Sequence, residues 1–108
     1  MTNFEKVKEF MTTFGQEVKT SAEFPENKIV EWRKKLIDEE FNELKDAIND
    51  NDIVEVADAL GDMLYILCGT IITHGMQNII DDVFDEIQKS NMSKLDNEGK
   101  PIYRDDGQ

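Results

Sequence analysis

The sequence predicts an all-α protein, and three observations lead to that class. Apolar residues recur at helical spacing along most of the 108-residue chain, and no strand-like alternation of any length occurs. The two prolines, Pro25 and Pro101, each mark a break between segments. Because 39% of the residues are hydrophobic and 33% are charged, the composition is that of a folded chain. We therefore expect one all-α domain over residues 1–108.

Helices and a tail account for the whole chain. The first helix is predicted over about residues 3–20, with Thr2 and Glu5 at capping-box spacing and Gly15 as a point of interruption. The second is predicted over about 27–49, and "NDND" then supplies a turn and the N-cap of a third helix over about 52–74. Gly75 is its predicted left-handed C-cap. A fourth helix over about 78–90 precedes a polar tail that is expected to form a small hairpin or to wrap over a partner.

Charge and cysteine content restrict the partners and the compartment. The formal net charge is −12, from 24 acidic against 12 basic residues, so nucleic acid polymers and anionic membranes are poor partners. The single cysteine, Cys68, allows no intrachain disulfide, favours a reducing compartment and is expected to be a small core residue. The N-terminus has no signal-peptide apolar region, and the run "MLYILCGTIIT" is too short to span a bilayer. A cytoplasmic protein is predicted.

The stretch "IDEEFNEL" places carboxylates on the apolar side of the second helix. With about 100° of rotation per residue, Glu40 falls inside the apolar arc and Glu43 at its edge. Glu39 lies further round, close to Trp32, whereas Asp38 points away. The alternative interpretation of such a run is an ordinary solvated face.

A second group of acids favours the functional interpretation. The third helix is apolar nearly all round, which predicts burial, yet Glu55, Asp58 and Asp62 cluster on one side of it. The short connection predicts an antiparallel hairpin, in which Glu40 and Glu43 come level with these acids. Buried like charges take up protons or bind a cation, and oxygen ligands select Mg²⁺, with Mn²⁺ as the alternative.

The histidine content excludes one class of metal site. A di-iron bundle requires a Glu-x-x-His pair from each of two helices, and this chain has a single histidine, His74. Because His74 precedes Gly75, we interpret it as a residue of the helix C-terminus.

Three segments in order resemble a known family. "DEEFNEL", then "ADALGDMLYILCGT" followed by "HG", then "VFDEIQKSNMSK", are similar to the MazG-like all-α nucleoside triphosphate pyrophosphohydrolases, relatives of the phosphoribosyl-ATP pyrophosphohydrolases. The resemblance runs from "VKEFMTTFG" through "RDDG". It implies a four-helix MazG-like bundle completed by dimerisation, with an irregular C-terminal tail. A homodimer or homotetramer is therefore expected.

The resemblance assigns the first acidic segment. The family carries an EExxE segment whose carboxylates ligate Mg²⁺, and Glu39, Glu40 and Glu43 match it as written. Glu40 and Glu43 are the expected ligands. Glu39 is expected to orient or deprotonate the attacking water.

The family's second acidic segment, ExxD, is matched less simply. "EVAD" is a literal match at Glu55 and Asp58, whereas alignment on "DMLY" puts the aspartate at Asp62 and the glutamate at Ala59, which has no ligand atom. We favour Asp58 and Asp62 as ligands, with Glu55 as a further ligand or a support behind them. The number of metal ions stays open.

The implied reaction is Mg²⁺-dependent hydrolysis of a nucleoside triphosphate, ribo or deoxy, to the monophosphate and pyrophosphate. Asn91 and Lys94 of "SNMSK" match the family's nucleotide-contacting residues, although they also suit a helix end and a solvated lysine. Arg33 either meets phosphate or pairs with Glu40. A phosphoribosyl-ATP pyrophosphohydrolase and a non-catalytic helical interaction module are the alternatives. Base preference stays open, because the stacking candidates Phe14, Trp32 and Tyr103 serve equally well elsewhere.

Overall fold

Helices dominate the part of the chain that the structure, a computed structural model, describes, which is residues 1–101. The four helices are α1 (Asn3–Thr13), α2 (Asn27–Asn49), α3 (Ile53–Thr73) and α4 (Ile80–Met92). The described residues contain no strand, so the predicted all-α class is confirmed. Tyr103 lies outside the described residues.

Helix α1 begins as predicted and ends earlier. The Thr2 hydroxyl accepts the backbone N–H of Glu5 at 3.1 Å, which completes the capping box. The predicted end near residue 20 is wrong, because the helix stops at Thr13 and Gly15 adopts a left-handed φ of +75°. The N–H of Gln16 then donates to the carbonyl of Met11 at 2.8 Å, which closes the helix end. Gln16 is thereby placed in a loop.

Helices α2 and α3 form the predicted hairpin, and α3 also packs against α1. Asp52 caps α3 by accepting the N–H of Glu55 at 3.2 Å, as the "NDND" turn predicts. At the other end, His74 is the C-cap residue and Gly75 has a φ of +70°. A Cβ on Gly75 would lie 1.9 Å from the carbonyl oxygen of Ser21, so glycine is required there.

The hydrophobic core formed by the first three helices is small. Val7, Met11 and Ile72 form its centre, with Phe4, Val18 and Cys68 packed around them. Helix α3 contributes few buried residues, and Ile53 and Leu64 are 77% and 60% exposed. The described residues of the chain therefore cover only part of α3, and the burial predicted for this helix stays a prediction.

Helix α3 is also the one helix in the described part of the chain that is long and apolar enough to cross a membrane, with 21 residues and a mean hydropathy of 1.5 over its most apolar window. The run "MLYILCGTIIT", which is predicted to be too short to span a bilayer, is only the second half of this longer helix. A single such helix is weak evidence for a membrane span, because a core helix of a soluble assembly meets the same criterion.

The chain divides into two compact units, Met1–Asn78 and a second that begins at Ile79. In the second unit Leu95 and Pro101 form an antiparallel bridge after α4. Asp96 closes the intervening turn by accepting the N–H groups of Glu98 and Lys100, both at 2.9 Å. This bridge agrees with the small hairpin expected for the tail. The single domain over residues 1–108 stays a prediction.

Candidate active site

Three carboxylates from α2 and α3 lie close together in the unit Met1–Asn78. Glu40 and Glu43 come from α2 and Asp62 from α3, and each offers one oxygen within 4.8 Å of the others. Residues three apart on a helix are neighbours on its surface, which aligns the two glutamates. The antiparallel hairpin brings Asp62 to the same level. We call this set the acid cluster.

Glu40 lies under electrostatic strain in this cluster. Its pKa is raised first by burial, then by the charges of Glu43 and Asp62, by a hydrogen bond with Glu43 and by the charge of Glu39. Its Oε2 atom is buried and accepts no hydrogen bond. A buried carboxylate oxygen without a partner is destabilising. A bound cation would relieve both the repulsion and the missing contact.

Glu39 occupies the solvent side of the cluster. Its side chain is exposed, and its charge is one of those that raise the pKa of Glu40. The predicted position at the rim of the site therefore agrees with the structure. The role of Glu39 toward water stays a prediction.

Glu55 and Asp58 line a neighbouring acidic cavity. This cavity of about 320 Å³ lies where α2 and α3 join, and Glu43 and Ala59 line it as well. Asp58 is one helical turn from Asp62. The structure thus groups three of the five predicted ligands, and it connects the remaining two to that group through Glu43.

Arg33 lies in α2 and is 5% exposed. Its Nη2 atom donates to Oε1 of Gln16 at 3.1 Å, whereas its Nε atom is buried without an acceptor. Its Cζ atom lies 5.0 Å from the centroid of the Trp32 ring. No ion pair joins Arg33 to Glu40 within residues 1–101, so the alternative of an internal pair is not observed.

A cavity of about 250 Å³ adjoins this guanidinium, and we call it the Arg33 cavity. Its lining includes Phe10, Gln16, Trp32, Arg33, Tyr65 and Gly69. A Cβ on Gly69 would lie 2.7 Å from Nη1 of Arg33, so the glycine makes room for the guanidinium. The sequence reasoning missed Gln16, since its contact with Arg33 spans 17 residues and no local pattern signals it.

Asn91 and Lys94 lie in the second unit. Asn91 is in the last turn of α4, and its Oδ1 accepts Nζ of Lys94 at 3.1 Å. Both side chains are exposed. Their assignment to substrate binding stays a prediction.

Comparison with known proteins identifies the family. The family model described as phosphoribosyl-ATP pyrophosphohydrolase matches residues 7–91, which include α2, α3 and the acid cluster. The chain belongs to the phosphoribosyl-ATP pyrophosphohydrolase family. It is also 44% identical over 72 residues to an uncharacterized protein of Acanthamoeba polyphaga mimivirus. That match covers 63% of this chain and 29% of the viral protein, so the chain spans less than a third of that relative's length.

The acid cluster of this phosphoribosyl-ATP pyrophosphohydrolase family member fits a divalent cation. Its donors are oxygens alone, and those are the ligands that Mg²⁺ and Mn²⁺ prefer. The orphaned Oε2 of Glu40 supplies a buried acceptor that the protein itself leaves unused. Tetrahedral zinc sites, in contrast, use histidine and cysteine, and neither residue type contributes to the cluster.

Proposed function

We propose that the protein hydrolyses a nucleoside triphosphate, ribo or deoxy, to the monophosphate and pyrophosphate in a reaction that depends on Mg²⁺. The observation that carries this proposal is the acid cluster with its unpartnered Glu40 oxygen, in a chain of the phosphoribosyl-ATP pyrophosphohydrolase family. Mn²⁺ would suit the same oxygen donors. Phosphoryl chemistry needs charge neutralisation and an aligned water more than covalent participation by the protein.

Each acid has a role in this proposal. Glu40, Glu43 and Asp62 would hold the metal, and Asp58 and Glu55 would extend the ligand set from the adjoining cavity. A Mg²⁺ ion held there would supply positive charge that offsets the repulsion between the phosphates and the acidic protein surface.

Glu39 is the proposed catalytic base. It orients a water molecule and accepts its proton while the water oxygen forms a bond to phosphorus. The P–O bond to the oxygen that bridges the α and β phosphates breaks at the attacked phosphorus, and its electron pair leaves with the other product, so that monophosphate and pyrophosphate are released. The exposure of Glu39 at the rim of the acid cluster supports this role, because water reaches it directly.

Substrate contacts complete the proposal. Arg33, which lies in the unit Met1–Asn78, is proposed to contact the substrate. Its lack of a carboxylate partner among the described residues supports that role. Asn91 and Lys94 are assigned to sugar or phosphate contacts on the basis of the "SNMSK" segment alone. The description of the matching family favours one further candidate substrate, phosphoribosyl-ATP, for the same chemistry.

The assembly and compartment belong to the same proposal. The exposed apolar side chains of α3, such as Ile53 and Leu64, support a homodimer or homotetramer in which a second copy covers them. The net charge of −12 disfavours nucleic acid polymers and anionic membranes as partners, and it is compatible with small phosphorylated substrates that bind through a metal. The single cysteine, Cys68, supports the proposed cytoplasmic compartment.

Product analysis tests the reaction. The protein would be incubated with ribo- and deoxynucleoside triphosphates and with phosphoribosyl-ATP, with Mg²⁺ or with chelator, and the products separated. We expect monophosphate and pyrophosphate to form with Mg²⁺ and not with chelator. Glu40→Gln should lose this activity, whereas Asp38→Asn should keep it. Turnover of phosphoribosyl-ATP alone would select the second substrate. No turnover of any substrate would point to a non-catalytic interaction module.

A further inference from the structure

The Arg33 cavity contains a cation that the described part of the chain does not neutralise. Arg33 is 5% exposed, and its side-chain partner is the neutral amide of Gln16. Burial lowers the pKa of this guanidinium, because the surrounding side chains solvate its charge less well than water does. A buried charge without a counter-charge is strongly destabilising, although the chain has 24 acidic residues from which a partner could have come. The guanidinium therefore lacks a counter-charge among the described residues.

The polar groups beside the cavity are hydrogen-bond donors. Arginine has five N–H donors and no acceptor, and the Nε donor of Arg33 is unused. Because Arg33 can only donate, the amide oxygen of Gln16 must face it, which leaves the Gln16 amide nitrogen as a further donor. A ligand group that accepts hydrogen bonds is favoured here, and a ligand amino group is disfavoured.

The shape of the cavity favours a flat aromatic ligand. Trp32 and Tyr65 are each 40% exposed and form its rim, while Phe10 lies edge-on to Tyr65 with ring centroids 5.7 Å apart. Aromatic walls stack on the faces of nucleobases, and an arginine beside them strengthens such contacts. A free phosphate would gain nothing from these walls.

The cavity lies at a suitable distance from the acid cluster. Arg33 precedes Glu40 by two helical turns on one face of α2, a rise of about 10 Å. Gly69 follows Asp62 by the same interval on α3. A nucleotide whose phosphates lie at the acid cluster can therefore extend its base along the two helices to the Arg33 cavity.

We propose that the Arg33 cavity holds the nucleobase of the substrate and selects bases that carry an oxo group at the edge far from the sugar. Uracil, thymine, hypoxanthine and guanine belong to this class, whereas cytosine and adenine present an amino group there. This inference rests on the proposed function, since it assigns the base to the same site that binds the phosphates.

Two matched substrate pairs test the selection. dUTP and dCTP differ at this edge, as do ITP and ATP, so we would compare kcat/KM within each pair. The oxo member is expected to be favoured by on the order of 10- to 100-fold, the effect of one charge-assisted hydrogen bond. Arg33→Met should remove this ratio by slowing the oxo member. The exposed neighbour variant Lys34→Met should preserve it.

Gln16→Glu provides a test that a merely structural role would not pass. A carboxylate in place of the amide accepts hydrogen bonds, so the ranking within each pair should shift toward dCTP and ATP. Thermal melting of both variants checks that they fold. Equal efficiencies in the wild type, or a ratio unchanged by both Arg33→Met and Gln16→Glu, would overturn the inference and leave the pyrophosphohydrolase activity intact.

A binding measurement separates this inference from the proposed reaction. Trp32 is the one tryptophan of the chain and lines the cavity, so its fluorescence reports occupancy. Wild type and Arg33→Met would be titrated with deoxyuridine and deoxycytidine in chelator, where neither metal nor phosphate takes part. Stronger quenching by deoxyuridine than by deoxycytidine, lost in Arg33→Met, would support base binding in the Arg33 cavity even if no triphosphate is hydrolysed. Identical responses to both nucleosides would refute it.

Discussion

Replacing Glu40 with glutamine should stabilise the metal-free protein while removing its response to Mg²⁺. The oxygens of Glu40, Glu43 and Asp62 lie within 4.8 Å of one another, and the Oε2 atom of Glu40 is buried without a partner. Unit charges at 4.8 Å repel by about 1 kcal/mol in a water-like dielectric and by about 3 kcal/mol at an effective value of ~20. We expect a gain of about 2 kcal/mol in the free energy of unfolding, a rise in Tm of about 10 °C.

Thermal melting with and without Mg²⁺ measures both effects. Saturating Mg²⁺ at ~100 times its dissociation constant should stabilise the wild type by about 2.7 kcal/mol. Glu40→Gln should lose most of this increment together with turnover. Asp38→Asn is the matched control, because Asp38 is exposed on the same helix and outside the cluster. A lower Tm for Glu40→Gln in chelator, or an undiminished Mg²⁺ shift, would show that the carboxylate does not belong to a metal site.

Three other expectations follow from the structure. In chelator, the Tm of the wild type should fall as pH rises above the ordinary pKa range of glutamate. The reason is that the raised pKa of Glu40 makes the folded state bind this proton more tightly than the unfolded state does. Glu40→Gln should flatten the dependence of Tm on pH. Gly69→Ala should destabilise by about 1–3 kcal/mol in chemical denaturation by crowding Arg33, whereas Gly61→Ala, whose Cβ meets nothing within 4 Å, should be neutral or stabilising. Leu64→Glu should lower the oligomeric mass in light scattering, and an unchanged mass would exclude that face of α3 from the interface.

Sequence patterns predicted the features that are set locally. Thr2 and Asp52 cap helices because a side-chain oxygen can reach an N–H three residues on, and such a spacing is visible in the sequence. Glu40, Glu43 and Asp62 could be grouped because helical periodicity and a short connection together determine which faces meet. Gly15 was recognised as a possible break, but periodic apolar residues beyond it extended the predicted α1 too far.

Contacts between distant residues were harder to predict. The partner of Arg33 is Gln16, which lies in a loop whose path depends on the left-handed turn at Gly15. Gly69 makes room for the guanidinium, a relation that the sequence of α3 does not reveal. Neither relation has a periodic signature, because each depends on how α1, α2 and α3 pack together.

The distribution of charge along α2 is difficult to explain by folding alone. Arg33 and Glu40 lie two turns apart on one helix face, and each has a buried polar atom without a partner. A sequence selected for stability alone would bring such charges together or replace them with apolar residues, since unpaired buried charges are destabilising. Their separation leaves an apolar cavity bordered by hydrogen-bond donors at one end and an acceptor-rich cluster at the other. Such an arrangement matches a ligand with an acceptor-bearing base at one end and a metal-bound phosphate chain at the other, so the polar groups that folding leaves unpartnered are those that such a ligand would complement.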